Sequence, residues 1–64
     1  MNIYVERSDE RHTFTFEGVV QELLDKLDIN AQTVLVLKND ELVTEDEALV
    51  DSDEVKIITV VSGG

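Results

Sequence analysis

The residues best suited to chemistry are the last three, Ser62, Gly63 and Gly64, which follow a run of β-forming residues. Glycine has no Cβ atom, so its backbone can pass through a channel too narrow for other residues. The group that such a tail delivers is the α-carboxylate of Gly64, an electrophile only after activation, for example as an acyl-adenylate formed with ATP. An acyl-adenylate can accept sulfur to give a thiocarboxylate, or pass to a lysine amine to give an isopeptide bond. The alternative is an inert end that frays, as chain termini often do.

The rest of the chain offers little for catalysis or metal binding. It has no cysteine and a single histidine, His12, so neither a thiolate site nor a histidine-based relay has support. The carboxylates Asp51, Asp53 and Glu54 come closest to a calcium loop, but the glycine and the spacing of an EF-hand are absent. We therefore expect no catalytic residue, no metal ligand and no bound cofactor, with ATP used by a separate activating enzyme.

The charge of the chain restricts its partners. There are 15 Asp and Glu residues against 5 Lys and Arg, a net charge of −10. Affinity for nucleic acid depends on cations that neutralise phosphates, so we expect no nucleic-acid partner and attraction toward a basic protein surface instead. No apolar run reaches the roughly 20 residues of a membrane helix, and no signal segment opens the chain. The expectation is a cytoplasmic protein without membrane contact.

Two alternating patterns predict a hairpin at the start of the chain. Residues 1–6 and 12–16 each alternate apolar and polar side chains around a polar break at residues 7–10. This is the period of a half-buried strand, and two such runs with a short break make a hairpin. The side chains predicted to face inward are Met1, Ile3, Val5, Phe14 and Phe16, and Tyr4 is predicted to face outward.

A helix and further strands follow. Four residues have the spacing of one helical face, Val20, Leu23, Leu24 and Leu27. Gly18 is the predicted N-cap. Residues 33–38, 42–44 and 55–61 read as strands, and an acidic connection at 45–54 carries Leu49 into the core. The order predicts an α+β fold in which a mixed sheet of four to five strands packs on one helix, with a domain at 1–61 and a flexible tail at 62–64.

This order of elements resembles the β-grasp fold of ubiquitin. The opening MNIYVERSDERHTFTFEG alternates like the first ubiquitin hairpin. The ending DSDEVKIITVVSGG resembles the prokaryotic sulfur carriers of that fold, the small subunit of molybdopterin synthase and the thiamine sulfur carrier, and by size and acidity their archaeal branch, the small archaeal modifier proteins. Ser52 stands where the acidic turn often has glycine, and the proline often found before the tail is missing.

The resemblance implies a carrier protein rather than an enzyme. A ubiquitin-activating-type enzyme would adenylate Gly64, with Gly63 and Ser62 threading its channel. The products would be a thiocarboxylate that passes sulfur to an acceptor protein for molybdopterin synthesis or tRNA thiolation, an isopeptide bond to target-protein lysines, or both. If this protein forms chains, the acceptor lysines would be Lys26, Lys38 or Lys56.

A carrier also needs a docking surface for the activating enzyme. In the last strand, alternation turns Ile58 and Val60 outward. Residues 33–38 are apolar on both faces, so either the pair Val34 and Val36 or the pair Leu35 and Leu37 also faces out. An exposed apolar patch of this kind commonly marks a partner site. The same surface would serve a non-covalent ubiquitin-like binding module with an inert tail, and the sequence leaves both functions open.

Overall fold

A computed structural model describes residues 1–60 of the chain. It contains a five-stranded mixed sheet, a separate two-stranded ribbon and one α-helix. The strands are β1 (Asn2–Val5), β2 (Glu10–Thr13), β3 (Gly18–Val19), β4 (Val34–Lys38), β5 (Glu41–Val43), β6 (Ala48–Leu49) and β7 (Glu54–Thr59), the helix is α1 (Val20–Lys26), and Glu6–Ser8 and Ala31–Thr33 form 3-10 turns. The large sheet has the order β2-β1-β7-β4-β5 and the ribbon pairs β3 with β6. The predicted α+β class is confirmed.

The sheet is mixed because its two central strands run in the same direction. Strand β1 pairs in parallel with β7, while β1–β2, β4–β7 and β4–β5 are antiparallel. A parallel pair requires a long crossover, and here α1 and the following strands provide it. The first and last strands therefore lie side by side in the middle of the sheet.

The core lies between one face of the sheet and α1. Its buried apolar side chains are Met1, Ile3, Val20, Leu23, Leu24, Val36, Leu49, Val55 and Ile57. The predicted helical stripe is confirmed: its first three members are buried and Leu27 packs against them. Phe14 and Phe16 are half-buried against the same cluster, as predicted, although β2 itself ends at Thr13. At this chain length, burial of one small core leaves only a modest margin of stability.

The prediction that Gly18 caps the helix is wrong. The N-cap residue is Val19, and Glu22 Oε1 accepts a hydrogen bond from the Val19 amide at 3.1 Å. Gly18 instead lies in β3 with φ of +155°, a conformation that residues with a Cβ rarely adopt. A Cβ at Gly18 would also lie 2.9 Å from Glu22 Oε1. Gly18 therefore contributes a backbone conformation that lets the chain turn into α1, and Val19 with Glu22 forms the cap.

The connection that carries Leu49 is tied to the rest of the fold on both sides. Asp51 Oδ1 accepts hydrogen bonds from the Met1 ammonium at 2.9 Å and from the Phe16 amide at 3.0 Å. Asp53 accepts from the Val50 amide and from Asn39 Nδ2, both at 2.9 Å. The predicted entry of Leu49 into the core is confirmed, and these two carboxylates explain how an acidic loop holds it there.

Candidate functional site: the outer face of the sheet

The face of the sheet turned away from α1 is the candidate site. Strand register places five outward side chains in one row across all five strands, in the order Arg11, Tyr4, Lys56, Leu37 and Leu42. The guanidinium carbon of Arg11 lies 4.9 Å from the centre of the Tyr4 ring, a distance typical of a cation–π contact. One end of this row is therefore cationic and aromatic, and the other end is apolar.

A second, wholly apolar row lies beside the first, toward the end of β7. It consists of Leu35 of β4 and Ile58 of β7, which are register partners. Leu35 is 44% exposed and Leu42 in the neighbouring row is 60% exposed. Val60, just beyond β7, is 50% exposed. Together these side chains form an exposed apolar patch on the half of the sheet that contains β4, β5 and β7.

The structure decides which side of β4 faces out. Val36 is 5% exposed and belongs to the core, and Val34 packs against the same cluster. The outward pair is therefore Leu35 and Leu37, and Val34 and Val36 are removed as docking candidates. Their inward position follows from register, because Val36 pairs with Ile57, which is fully buried.

The last strand, β7, ends at this patch. Strand β7 ends at Thr59, and the Val60 amide donates a hydrogen bond to the Thr33 carbonyl oxygen at 3.0 Å. This bond anchors the chain at the beginning of β4. Val61, Ser62, Gly63 and Gly64 lie outside the described residues, so the expectations that the tail is flexible and that Gly64 is its reactive end stay predictions.

The three candidate acceptor lysines have different surroundings. Lys38 donates to Glu47 Oε2 at 3.0 Å and to the Ala48 carbonyl oxygen at 3.2 Å. The hydrogen bond that Lys38 donates to Glu47 raises the pKa of Lys38, which lowers the fraction of neutral, nucleophilic amine. Lys26 lies 5.3 Å from the centre of the Phe14 ring. Lys56 is exposed on the outer face of the sheet.

Two carboxylates of the acidic connection, Asp51 and Asp53, serve structure. The Met1 ammonium, followed by the Phe16 amide, lowers the pKa of Asp51. The Val50 amide, followed by Asn39, lowers the pKa of Asp53.

Within residues 1–60 there is no group of three or more histidine or carboxylate side chains arranged to hold a metal ion. In the same part of the chain, no helix has the length and apolar character needed to span a bilayer.

Some residues of the outer face were not predicted from sequence. The sequence pattern places Leu42 in a strand without giving the direction of its side chain. It assigns Arg11 to neither the turn at 7–10 nor the strand at 12–16, whereas β2 begins at Glu10 in the structure. The alternation of Ile3, Tyr4 and Val5 did predict that Tyr4 faces outward. For Arg11 and Leu42 the available signal was the register of the two edge strands, which depends on the pairing of the whole sheet.

Comparison with known proteins agrees with this architecture. The sequence pattern of the ThiS family matches residues 4–64, a range that includes Gly63 and Gly64. Among solved structures, a thiamine biosynthesis protein from Geobacter metallireducens is similar, with a TM-score of 0.62 and 26% identity over 100% of this chain and 88% of that chain. No curated protein matches the sequence. The β-grasp fold is confirmed, and the chain belongs to the ThiS family of sulfur carriers.

Proposed function

We propose that this protein carries sulfur as a thiocarboxylate on Gly64 after adenylation by a dedicated enzyme. The observation that carries the proposal is the family match, which extends through the two terminal glycines. The similar solved structure is a thiamine biosynthesis protein, so thiamine synthesis is the first pathway to test as the sulfur destination. The other sulfur destinations that the sequence suggests are molybdopterin synthesis and tRNA thiolation. The sequence also suggests membership of the branch of small archaeal modifier proteins.

The proposed reaction has two steps. The Gly64 carboxylate attacks the α-phosphorus of ATP, forming the acyl-adenylate and releasing pyrophosphate. Hydrosulfide then attacks the activated carbonyl, the bond to AMP breaks, and the thiocarboxylate and AMP leave. The carrier contributes the carboxylate and a tail that is slim at Gly63, while the activating enzyme supplies the groups that stabilise charge. Because the reaction consumes ATP, we place it in the cytoplasm.

The folded body contributes recognition. The apolar patch of Leu35, Leu37, Leu42, Ile58 and Val60 lies on the half of the sheet from which the chain continues toward the tail. An enzyme that covers this patch would hold the tail within reach of its ATP site. Burial of such side chains stabilises a complex by about 25 cal/mol per Å2 of apolar area before the costs of association. The patch therefore supplies affinity and the tail supplies the reacting group.

The test is a change in intact mass. After incubation with the adenylating enzyme of the same organism, ATP and sulfide, we expect the protein to gain the difference between one sulfur and one oxygen atom. A variant without Gly63 and Gly64, and a variant with one alanine added after Gly64, should gain nothing. Absence of the gain in the wild type, with an enzyme shown to be active, would contradict the proposal, as would the same gain in either variant.

The same acyl-adenylate could instead be passed to lysine amines. Purification under denaturing conditions distinguishes the two uses, since isopeptide bonds give a ladder of heavier species and sulfur transfer gives a single thiocarboxylated chain. Of the three candidate acceptors, Lys26 and Lys56 are exposed and have no ion-pair partner in residues 1–60, whereas Lys38 is paired with Glu47. A partner that binds equally well with and without the tail, and that never modifies it, would indicate the non-covalent binding module instead.

A further inference from the structure

The outer face of the sheet differs in charge from the rest of this acidic protein. Its outward strand residues include two cations, Arg11 and Lys56, and one carboxylate, Glu54. These outward strand residues therefore have a net charge of +1. The remainder of the chain has a net charge of −11, and the two add to the total of −10. The carboxylates near this face are Asp9, which accepts from the Tyr4 hydroxyl, and Glu54 and Asp40, which line a concavity described below.

The two cations of this face are not neutralised within the described fold. No carboxylate of residues 1–60 lies within 4.0 Å of the Arg11 guanidinium or of Lys56 Nζ, whereas Lys38 on the inner side is paired with Glu47 at 3.0 Å. Tyr4 stands between them in the row, and its hydroxyl donates to Asp9 at 2.9 Å. The Arg11 guanidinium lies over the ring of Tyr4, and Lys56 is the register partner of Tyr4 on the neighbouring strand β7.

A concavity opens at this position. Its volume is about 280 Å3, and its walls include Tyr4, Arg11, Lys56 and Leu37. Glu54 and Asp40 also line the concavity, and Glu54 is the register partner of Asn2 rather than of Tyr4. A carboxylate of a partner would be repelled at the end where these two acidic residues lie. The end bounded by Arg11 and Lys56 is open to an anion, and it adjoins the apolar row of Leu35 and Ile58.

We propose that this concavity receives an acidic side chain of the adenylating enzyme, the partner that covers the apolar patch. The enzyme would then be recognised both by its apolar contact with the patch and by this carboxylate. The proposal rests on the function proposed above and names the chemistry of its partner. A carboxylate between the Arg11 guanidinium and the Lys56 ammonium would form charge-assisted hydrogen bonds, which are stronger than neutral ones. The acidic remainder of the protein acts at longer range, where it steers the encounter with basic regions of the partner.

Charge reversal at Lys56 separates these two effects by sign. Lys56→Glu makes the protein more acidic, so long-range attraction to a basic partner would strengthen, while the proposed contact would be replaced by repulsion between carboxylates. We expect the dissociation constant for the adenylating enzyme of the same organism to rise by about tenfold or more. The matched control is Lys26→Glu, the same change on the helix side of the molecule, for which we expect no loss of affinity.

Two further measurements make the outcome decisive. Thermal unfolding should show both variants folded, because both lysines are exposed. Unchanged or tighter binding by Lys56→Glu would overturn the proposed contact. If Leu35→Ser still weakens binding and the wild type is still thiocarboxylated, the carrier function stands and only the carboxylate contact fails. If the wild type itself neither binds the enzyme nor is thiocarboxylated, the proposed function fails together with the inference.

Discussion

The two faces of the central sheet put similar residues to opposite uses. Strands β4 and β7 contribute two neighbouring register pairs, Val36 with Ile57 and Leu35 with Ile58. The first pair is buried under α1, and the second lies on the outer face, where Leu35 is 44% exposed. All four side chains are aliphatic, so hydrophobicity alone does not tell them apart. What differs is the cover: the inner pair is covered by this chain, and the outer pair is available to another.

The largest expected effect is on the inner face. Ile57→Ala removes methyl and methylene groups from a fully buried position, and such changes cost about 2–5 kcal/mol. A domain of this size rarely has more than about 3–5 kcal/mol of stability to lose. We therefore expect this variant to be largely unfolded at room temperature, as measured by circular dichroism in a urea titration.

The matched change on the outer face is Ile58→Ala. It removes the same atoms from the neighbouring residue, and we expect it to lower the free energy of unfolding by no more than about 1 kcal/mol. Equal losses for Ile57→Ala and Ile58→Ala would remove the distinction between the two faces.

The next largest effect is on binding by the outer face. Leu35→Ser and Ile58→Ser should each weaken binding of the adenylating enzyme by about tenfold or more, since truncation of a residue central to an interface commonly costs over 1 kcal/mol. Calorimetric titration measures the affinity. The control is Val50→Ser, which alters an apolar side chain that is 51% exposed but lies in the acidic connection; loss of affinity in this control would argue against a localised docking surface.

The smallest effect comes from pH, and it concerns the acidic connection that holds Leu49 in the core. Folding lowers the pKa of Asp53, because the Val50 amide and then Asn39 donate to its carboxylate. A carboxyl whose pKa is lowered on folding stabilises the protein above its unfolded pKa, about 3.9. That contribution is lost as the pH falls through the lower, folded value. Asp51, held by the Met1 ammonium, acts in the same direction.

We therefore expect the urea midpoint of the wild type to fall as the pH is lowered below about 4. Asp53→Asn should start from a lower midpoint at neutral pH and show a shallower decline. A variant with the same pH profile as the wild type would show that this carboxylate does not link folding to pH.

Local patterns predicted much of the fold. Alternation in residues 1–6 correctly placed Ile3 inside and Tyr4 outside, and the helical spacing of Val20, Leu23 and Leu24 correctly predicted a stripe facing the core. The entry of Leu49 was also predicted, since it is the middle residue of the apolar run Ala48, Leu49 and Val50 in an acidic loop. These predictions succeeded because each depends on one face of one element, where polar neighbours mark the side that meets water.

Other features had no local signal. The role of Gly18 depends on the pairing of β3 with β6. Each of these strands has only two residues, which is too short to show a period. The hydrogen bond from Asn39 to Asp53 likewise has no local signal. Asn39 lies in a turn with positive φ, and the pairing of β4 with β7 brings that turn next to Asp53. Such contacts join residues far apart in the sequence, so only the assembled sheet shows them.

The sequence by itself determined the α+β class, the inward stripes, the acidic charge and the adjacent Gly63 and Gly64, which lie within the range that the ThiS family matches. Only the tertiary structure decided that Leu35 rather than Val36 faces out, and that Arg11 and Lys56 flank Tyr4 on the same surface. The reason is that a strand apolar on both sides carries no periodic signal, and its orientation is set by which side meets the helix.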